Sequence, residues 1–424
     1  MHIAIDARMY GTKQRGIGRY LVKLIEGLEQ EDEKNEYTIF LRKENFEGYQ
    51  PKNPRFKKSL WDAPWYGLRE QLFFKKLLDN SQFEDWKIKS QSTNHPINQS
   101  SKVNLVHFPH WNIPLFFNRP FMVTIHDLEL FSSNRTRENS TRGRLTYWLK
   151  FQSFKIIFRH AVLAARAIIV PSNYVREQLL DLYPKARKKV TVIYEAPTLS
   201  PLDNSQLEDL KIQYQSSNHP IIQSLILQPF VLYVGAAYPH KNLPRLLEAW
   251  QIISKEFPDH KLVLVGREDF FWKKLKNELP HNSPQPSLNL REGDRSIPPL
   301  RLRGGRGSYE TDDIIFHGEA SDAELATLYK NAALLVQPSL EEGFSLSPLE
   351  ALSFGCACAV SDIPVHREIY GNAVRYFDPL SSAAIAEVIK ETLKDQSSNQ
   401  LPREYSWAKN ARATLQLYEN IQIG

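Results

Sequence analysis

Cysteine is almost missing from this chain: only Cys356 and Cys358 occur in 424 residues. Two thiols separated by one residue cannot supply a disulfide framework or the ligand set of a structural zinc site. They read as reduced, buried filler in a cytoplasmic protein. Long apolar runs are missing too. The nearest candidate for a membrane span, Phe154 to Val170, is broken by Lys155, Arg159, His160 and Arg166, and a charged side chain costs roughly 3 kcal/mol at the centre of a bilayer. The opening Met1-His2-Ile3-Ala4-Ile5-Asp6 has neither the basic start nor the apolar stretch of a leader, and reads as a buried strand. No Asp-x-Asp pair stands in a suitable loop, so no metal is expected, and no feature asks for a cofactor. A net charge of +6 suits an anionic partner. No zinc-finger, RNP-type or basic-zipper pattern accompanies it, so nucleic acid is not expected.

What the chain does have is alternation. Short β-branched runs are expected as strands at His2 to Ala7, Tyr37 to Leu41, Val103 to Phe108, Phe121 to His126, Ala167 to Pro171 and Val190 to Tyr194. A second series follows at Phe230 to Gly235, Lys261 to Gly266, Ile314 to Gly318, Ala333 to Val336 and Cys358 to Ser361. Helical stretches between them predict parallel sheets with crossover helices, in two α/β domains whose strand ends face a shared cleft. The first domain is read as 1–196, a linker as 197–228 and the second domain as 229–405. Three segments break the pattern. LDNSQFEDWKIKSQSTNHPINQS (78–100) and LDNSQLEDLKIQYQSSNHPIIQS (202–224) are near copies and read as inserted sequence, at about 79–101 and within the linker. The third, about 281–310, carries SIPPLRLRGGRGS and reads as a loop.

The most informative stretch is EEGFSLSPLE, Glu341 to Glu350. It places Glu342 on a loop and Glu350 inside a helix expected over Pro348 to Phe354, with the free N–H groups of the first helical turn between them as an anion site. A ligand with hydroxyls at both ends and a diphosphate in the middle, such as a nucleotide-sugar, has that layout. Lys241, on the loop between the strand ending at Gly235 and the next helix, would lie at the same sheet edge and could neutralise a leaving diphosphate. In the first half, Gly16 and Gly18 of RGIGRY permit close backbone approach of a ligand, although a plain turn into a helix remains open. His126 ends the strand FMVTIHD, where it would donate to a sugar hydroxyl, take a proton, or simply cap the strand. The aromatic loop HFPHWNIP, His107 to Pro114, reads either as sugar-binding surface or as core cover. The basic, aromatic helix Arg142 to Arg166 reads as packed on its own sheet in preference to lying on anionic lipid.

With these residues in view, the chain resembles a family 4 glycosyltransferase of the GT-B fold, the retaining group 1 type that includes bacterial mannosyl-, rhamnosyl- and glucosyltransferases. The carriers are E-x7-E at Glu342 and Glu350, YVGAAYPHKNLPRLLEAW, FHGEASDAELATLYKNAALLVQPS, GIGRY, TIHDL and VPSNYVREQL. The resemblance implies two Rossmann-like domains, and a helix at 406–424 that crosses back to the first. It also implies that Glu342 lies against the donor sugar, Glu350 on the ribose hydroxyls and Lys241 on the diphosphate, with His126 near the reacting centre. Gly343, Phe344, Ser345, Leu346, Gly16, Gly235 and Gly318 would line the donor site. The implied chemistry is metal-independent transfer of a hexose, GDP-mannose being the first choice of donor, to a saccharide or lipid-linked acceptor in surface polysaccharide assembly. A lipid-linked acceptor would bring the enzyme to the inner face of a membrane. The rival reading is a non-catalytic nucleotide-sugar-binding protein on the same fold. Ala236, His240 and Ser345 depart from the family pattern, which more often has Arg, Arg and Gly there.

Overall fold

The computed structural model of the chain describes residues 1–11, 15–63, 103–115, 117–131, 144–199, 228–278, 313–395, 401 and 403–423. The segments read as inserts, about 79–101, 202–224 and 281–310, lie outside them. The chain divides into two compact units, Met1–Thr198 with Glu404–Gly424, and Leu199–Arg403.

The first unit holds seven strands: β1 (His2–Asp6), β2 (Glu36–Leu41), β3 (Phe56–Leu60), β4 (Leu105–Phe108), β5 (Phe121–Thr124), β6 (Ala167–Val170) and β7 (Val190–Val192). They run in the order β3-β2-β1-β4-β5-β6-β7, and every adjacent pair is parallel. Alternation along the strands divides the core between the two faces of the sheet. Ile3 and Ile5 of β1 pack with Leu21, Leu24, Ile25 and Leu28 of the helix Arg15–Glu31. Ala4 joins Val106, Phe108 and Val123 against Phe154, Phe158, Ala161 and Val162 of the helix Arg144–Ala164. The helix Trp407–Ile423 buries Ala411 and Tyr418 on the first of these faces. Its close approach needs Gly27, where a Cβ would stand 2.9 Å from Ala411 Cβ.

The second unit has six strands, β8 (Phe230–Val234), β9 (Lys261–Val265), β10 (Ile314–Gly318), β11 (Leu334–Gln337), β12 (Cys358–Ser361) and β13 (Arg375–Phe377), in the order β10-β9-β8-β11-β12-β13. All adjacent pairs are again parallel. Leu243, Leu246, Leu247, Trp250 and Ile253 project from the helix Leu243–Ile253 at the spacing of one apolar face and cover Val231, Tyr233, Leu262 and Leu264. Cys356 and Cys358 are buried and free.

Two edge strands escape the sequence reading. β3 is FKKSL, whose central Lys-Lys-Ser is half exposed, a composition that blunts an edge, and β13 has only three residues. Several strands also stop a residue or two earlier than the apolar run suggests: Gly235 falls just beyond β8, and Ile125 and His126 beyond β5. Gly235 and Ile125 each still donate one backbone bond of 2.9 Å to the adjacent strand, to the Val265 and Ile169 carbonyls, at the point where the loops begin. The helix after Ser345 begins at Leu346, two residues ahead of expectation, with Pro348 in its first turn, where a missing N–H breaks no bond. No described helix is long and apolar enough to cross a membrane.

Candidate active site

In the second sheet β8 and β11 are neighbours, while the chain leaves their carboxyl ends for opposite flanks, to β9 and to β12. A crevice opens outside such a pair. The loop after β8 carries Lys241 and the loop after β11 carries Glu342. Asn242 latches the two. It sits in the left-handed region (φ 60°, ψ 29°), which Asn tolerates better than most residues, and its Nδ2 donates to the carbonyls of Pro338 at 3.0 Å and Pro379 at 2.8 Å. The Leu340 N–H adds a bond of 2.7 Å to the His240 carbonyl.

This latch brings Lys241 Nζ to 2.6 Å from Glu342 Oε1, with both side chains largely buried. Gln337 Nε2 (3.0 Å) and Ser339 Oγ (2.7 Å) donate to the same oxygen. Burial alone would raise the Glu342 pKa. The charge and hydrogen bond of Lys241, helped by His240 and His366, reverse this and pull it down to about 2. His366, at the start of the helix Pro364–Tyr370, donates from Nδ1 to the Ser361 carbonyl at 2.9 Å. Its buried Nε2 has no partner among the described residues. Burial, more than the opposing Glu342 charge, lowers its pKa to about 4, so the ring is neutral at pH 7.

Ser345 precedes the helix Leu346–Ser353 at φ 70°, ψ 83°, an uncommon conformation for a residue with a side chain, and its buried hydroxyl has no partner among the described residues. The Tyr370 hydroxyl donates to the Ser345 carbonyl, and Ser347 Oγ ties the helix to the Val234 carbonyl at 3.1 Å. Glu350 is inside this helix, buried, and accepts from the Tyr329 hydroxyl at 3.0 Å. Gly343 and Phe344 are buried beside it. Gly235 has a packing reason: a Cβ there would come within 2.6 Å of the Tyr233 hydroxyl, which donates to the Ala236 carbonyl at 2.6 Å. Gly318, at φ 86°, closes β10 after a register shift at His317.

The first unit carries His126 and Gly16. His126 Nδ1 lies 2.9 Å from Glu195 Oε1 and Nε2 lies 3.0 Å from the Pro109 carbonyl, with Tyr20 edge-on at 4.7 Å. Gly16 is in the first turn of the helix Arg15–Glu31, exposed, and a Cβ there would meet nothing within 4 Å. A small pocket lined by Asp6, Met9, Pro109, His110 and Asn112 opens beyond the carboxyl ends of β1 and β4, the neighbours at which this sheet also changes direction. Among the described residues no group of three or more His, Cys, Asp or Glu is placed to hold a metal ion.

The structure thus brings Lys241 and Glu342 into contact and sets Ser345 and Glu350 on the same loop and helix, while His126 and Gly16 belong to the other unit. Gln337, Ser339, Tyr329, His366 and Glu195 are given no role in the site by the sequence reading, although the first three lie within the run that ends in VQPS. Gln337 and Ser339 flank a proline and read as a strand end; Glu195 sits in a stretch with no motif.

Two family models match the chain, that for Glycosyltransferase Family 4 over residues 14–196 and that for Glycosyl transferases group 1 over 307–414. The O-antigen chain mannosyltransferase RfbU of Salmonella typhimurium is 25% identical over 296 residues, 69% of this chain and 67% of the relative. The O-antigen chain mannosyltransferase B of Escherichia coli is 24% identical over 330 residues, 74% of each. The chain belongs to the family 4 glycosyltransferases. Its fold is GT-B: the sucrose-phosphate synthase of Thermosynechococcus elongatus superposes with a TM-score of 0.60 at 19% identity, covering 100% of this chain and 96% of that one. The matched stretches of this glycosyltransferase take in Gly16 and His126 on one side and Gly318, Glu342 and Glu350 on the other. Gly235, Lys241 and Asn242 fall between them, so their place in the site rests on the latch geometry alone.

Proposed function

We propose that this glycosyltransferase moves a hexose from a nucleotide-sugar, GDP-mannose being the first choice, to a saccharide or lipid-linked acceptor in surface polysaccharide assembly, with retention and without a metal. The observation that carries the reading is the convergence of Lys241, Gln337 and Ser339 on one oxygen of Glu342 at the turning point of the second sheet. The three bonds hold the carboxylate ionised and leave its other oxygen to accept from sugar hydroxyls. Lys241 and the free N–H groups at the start of the helix Leu346–Ser353 supply positive charge for a diphosphate. Glu350, buried on the same helix, accepts from a ribose. In the reaction the anomeric carbon–oxygen bond breaks, its electron pair leaving with the diphosphate. The acceptor hydroxyl bonds to that carbon on the same face, and its proton passes to the departing phosphate oxygen. Lys241 stabilises the leaving charge, Glu342 the positive charge on the sugar ring, and His126 contacts the sugar.

Mannose is favoured because the relatives above are described as O-antigen chain mannosyltransferases. The helix Arg144–Ala164 supports contact with an anionic membrane. Beside the buried stripe of Phe154, Phe158, Ala161 and Val162 it leaves Trp148, Ile156 and Leu163 exposed, with Lys155 and Arg159 exposed on the same stripe.

A thermal-shift screen against GDP-, UDP- and dTDP-sugars identifies the donor, since a ligand of the folded state raises the melting temperature. GDP-mannose should give the largest shift. Proton NMR of the transferred product should show the donor's anomeric configuration, and Glu342→Gln should bind donor with little transfer. An inverted product, or wild-type protein that binds donor without turnover, would sink the reading. For the membrane, Lys155→Glu with Arg159→Glu should abolish co-sedimentation with phosphatidylglycerol vesicles; equal binding by wild type and variant removes that helix from the account.

A further inference from the structure

His107 and His126 are neighbours in the first unit, and their partners give them opposite protonation states. His107 Nδ1 is 2.7 Å from the Tyr418 hydroxyl and Nε2 is 2.9 Å from the Thr124 hydroxyl. Hydroxyls donate as well as accept, so a neutral ring with one N–H satisfies both. Burial, together with the charge of His126, pushes the His107 pKa down to about 3. His126 meets acceptors alone, a carboxylate oxygen at one nitrogen and a peptide carbonyl at the other. A neutral ring would aim a lone pair at one of them; only an imidazolium donates to both.

We propose that Glu195 is a positioning residue that holds His126 as a charged ring with both N–H groups donating, so that His126 works as a hydrogen-bond donor and fixed positive charge, not as a base. Any ligand atom that replaces the Pro109 carbonyl on Nε2 must then be an acceptor, such as a hydroxyl or phosphate oxygen. The proposal rests on the reading of His126 as a substrate contact only for this consequence.

Glu195 is well placed for the task. It follows β7, is 5% exposed, and the chain on both sides of it is clamped by the helix Trp407–Ile423 of the same unit. Asn410 Nδ2 donates to the Tyr194 carbonyl at 2.9 Å and Trp407 Nε1 to the Pro197 carbonyl at 2.9 Å. The other groups facing His126 are Tyr20 from the helix Arg15–Glu31, Asp127 beside it, His107 on β4 and His110 after β4. Tyr20 is kept protonated by burial, and burial with the charge of His126 holds His110 neutral, its pKa near 3. That leaves the carboxylates of Glu195 and Asp127 to favour the cation. Burial opposes the charge on His126, but the Glu195 bond and charge, then Asp127 and the Pro109 carbonyl, outweigh it and raise the pKa. The charged state is therefore full below the ordinary histidine value of about 6.5 and is lost only as pH rises through the raised one.

The test is 15N NMR of the histidine rings in the full chain, with His126→Asn assigning the signal. Wild type should show imidazolium shifts at both His126 nitrogens at pH 7, with a midpoint above 6.5. Glu195→Gln, which keeps the side-chain shape, should move that midpoint down by about one to two units, and Glu195→Asp should restore part of it at an unchanged melting temperature. The alkaline limb of kcat/KM should move down with it. A neutral His126 in wild type, or a midpoint unmoved in Glu195→Gln, overturns the proposal. A midpoint that moves while the kinetic limb stays put upholds Glu195 as the residue that charges His126 and refutes His126 as a substrate contact.

Discussion

Replacing Glu342 by Gln keeps the shape of the side chain and removes one charge from a largely buried cluster. The Glu342 pKa falls from 4.5 to about 2 in the folded chain. At about 1.4 kcal/mol per unit, the ionised carboxylate contributes about 3 kcal/mol to folding at neutral pH. The pair is too buried for solvent to screen much of this away. A carboxylate with a depressed folded value adds stability above its unfolded pKa and loses it as pH falls toward the folded one. Wild type should therefore exceed Glu342→Gln by about 3 kcal/mol at pH 7 and by only about 1 to 2 kcal/mol near pH 3. Asp32 and Asp362, whose pKa values are also lowered, cancel in this difference because both proteins carry them. Two units make a single unfolding curve unsafe. Hydrogen exchange in urea, read on peptides from 228–278 and 313–395, reports the unit concerned. A gap below about 1 kcal/mol at pH 7, or one that stays constant down to pH 3, would refute the buried, paired carboxylate.

Three further outcomes follow from the loops around it. Ser345→Gly relieves a left-handed φ and removes a buried, unpartnered hydroxyl, partly offset by a freer unfolded chain; a net gain of about 1 kcal/mol should appear as a higher melting temperature, and a fall contradicts the assignment. Gly235→Ala forces a Cβ to within 2.6 Å of the Tyr233 hydroxyl and should cost about 1 to 3 kcal/mol by the same hydrogen exchange on peptides from 228–278; unchanged protection there would show that the loop does not pack on Tyr233. Asn242→Gly loses the two side-chain bonds and keeps the left-handed turn, whereas Asn242→Ala loses both. The glycine variant should be the more stable by about 1 kcal/mol, and the reverse order in thermal melts rejects the left-handed conformation at 242.

Both sheets were readable because buried parallel strands are short continuous apolar runs: AIIV, FVLYV and LLVQ announce β6, β8 and β11. The edge strands FKKSL and RYF carry no such run, and their pairing comes from neighbours already in place. Around the site, the spacing of Glu342 and Glu350 on either side of a helix start could be read directly, since one local element sets it. The contact between Lys241 and Glu342 spans 101 residues, and that between His126 and Glu195 spans 69. Periodicity carries no information over such distances. Ser345 was visible as a residue where glycine is commoner, and the structure adds the reason, a positive φ.

The three-donor arrangement also bears on how the site changes hands when donor arrives. Lys241 is spoken for by Glu342, so on the proposed reading a diphosphate must draw the ammonium away from a carboxylate 2.6 Å from it. Were Lys241 the sole donor, its departure would strand a buried charge, at several kcal/mol. Gln337 and Ser339 stay behind on the same oxygen and keep the carboxylate solvated by fixed dipoles. Gln337 ends β11 and Ser339 follows two residues on, so both keep their places through the sheet and the backbone latch when only the Lys241 side chain moves. Lys241 can therefore shift toward phosphate while Glu342 remains ionised, which is the state needed to meet positive charge on a sugar ring. Gln337→Leu with Ser339→Ala should accordingly weaken donor binding, because the carboxylate then retains Lys241. A donor affinity unchanged in that double variant, measured by titration calorimetry, would mean that Lys241 never leaves Glu342.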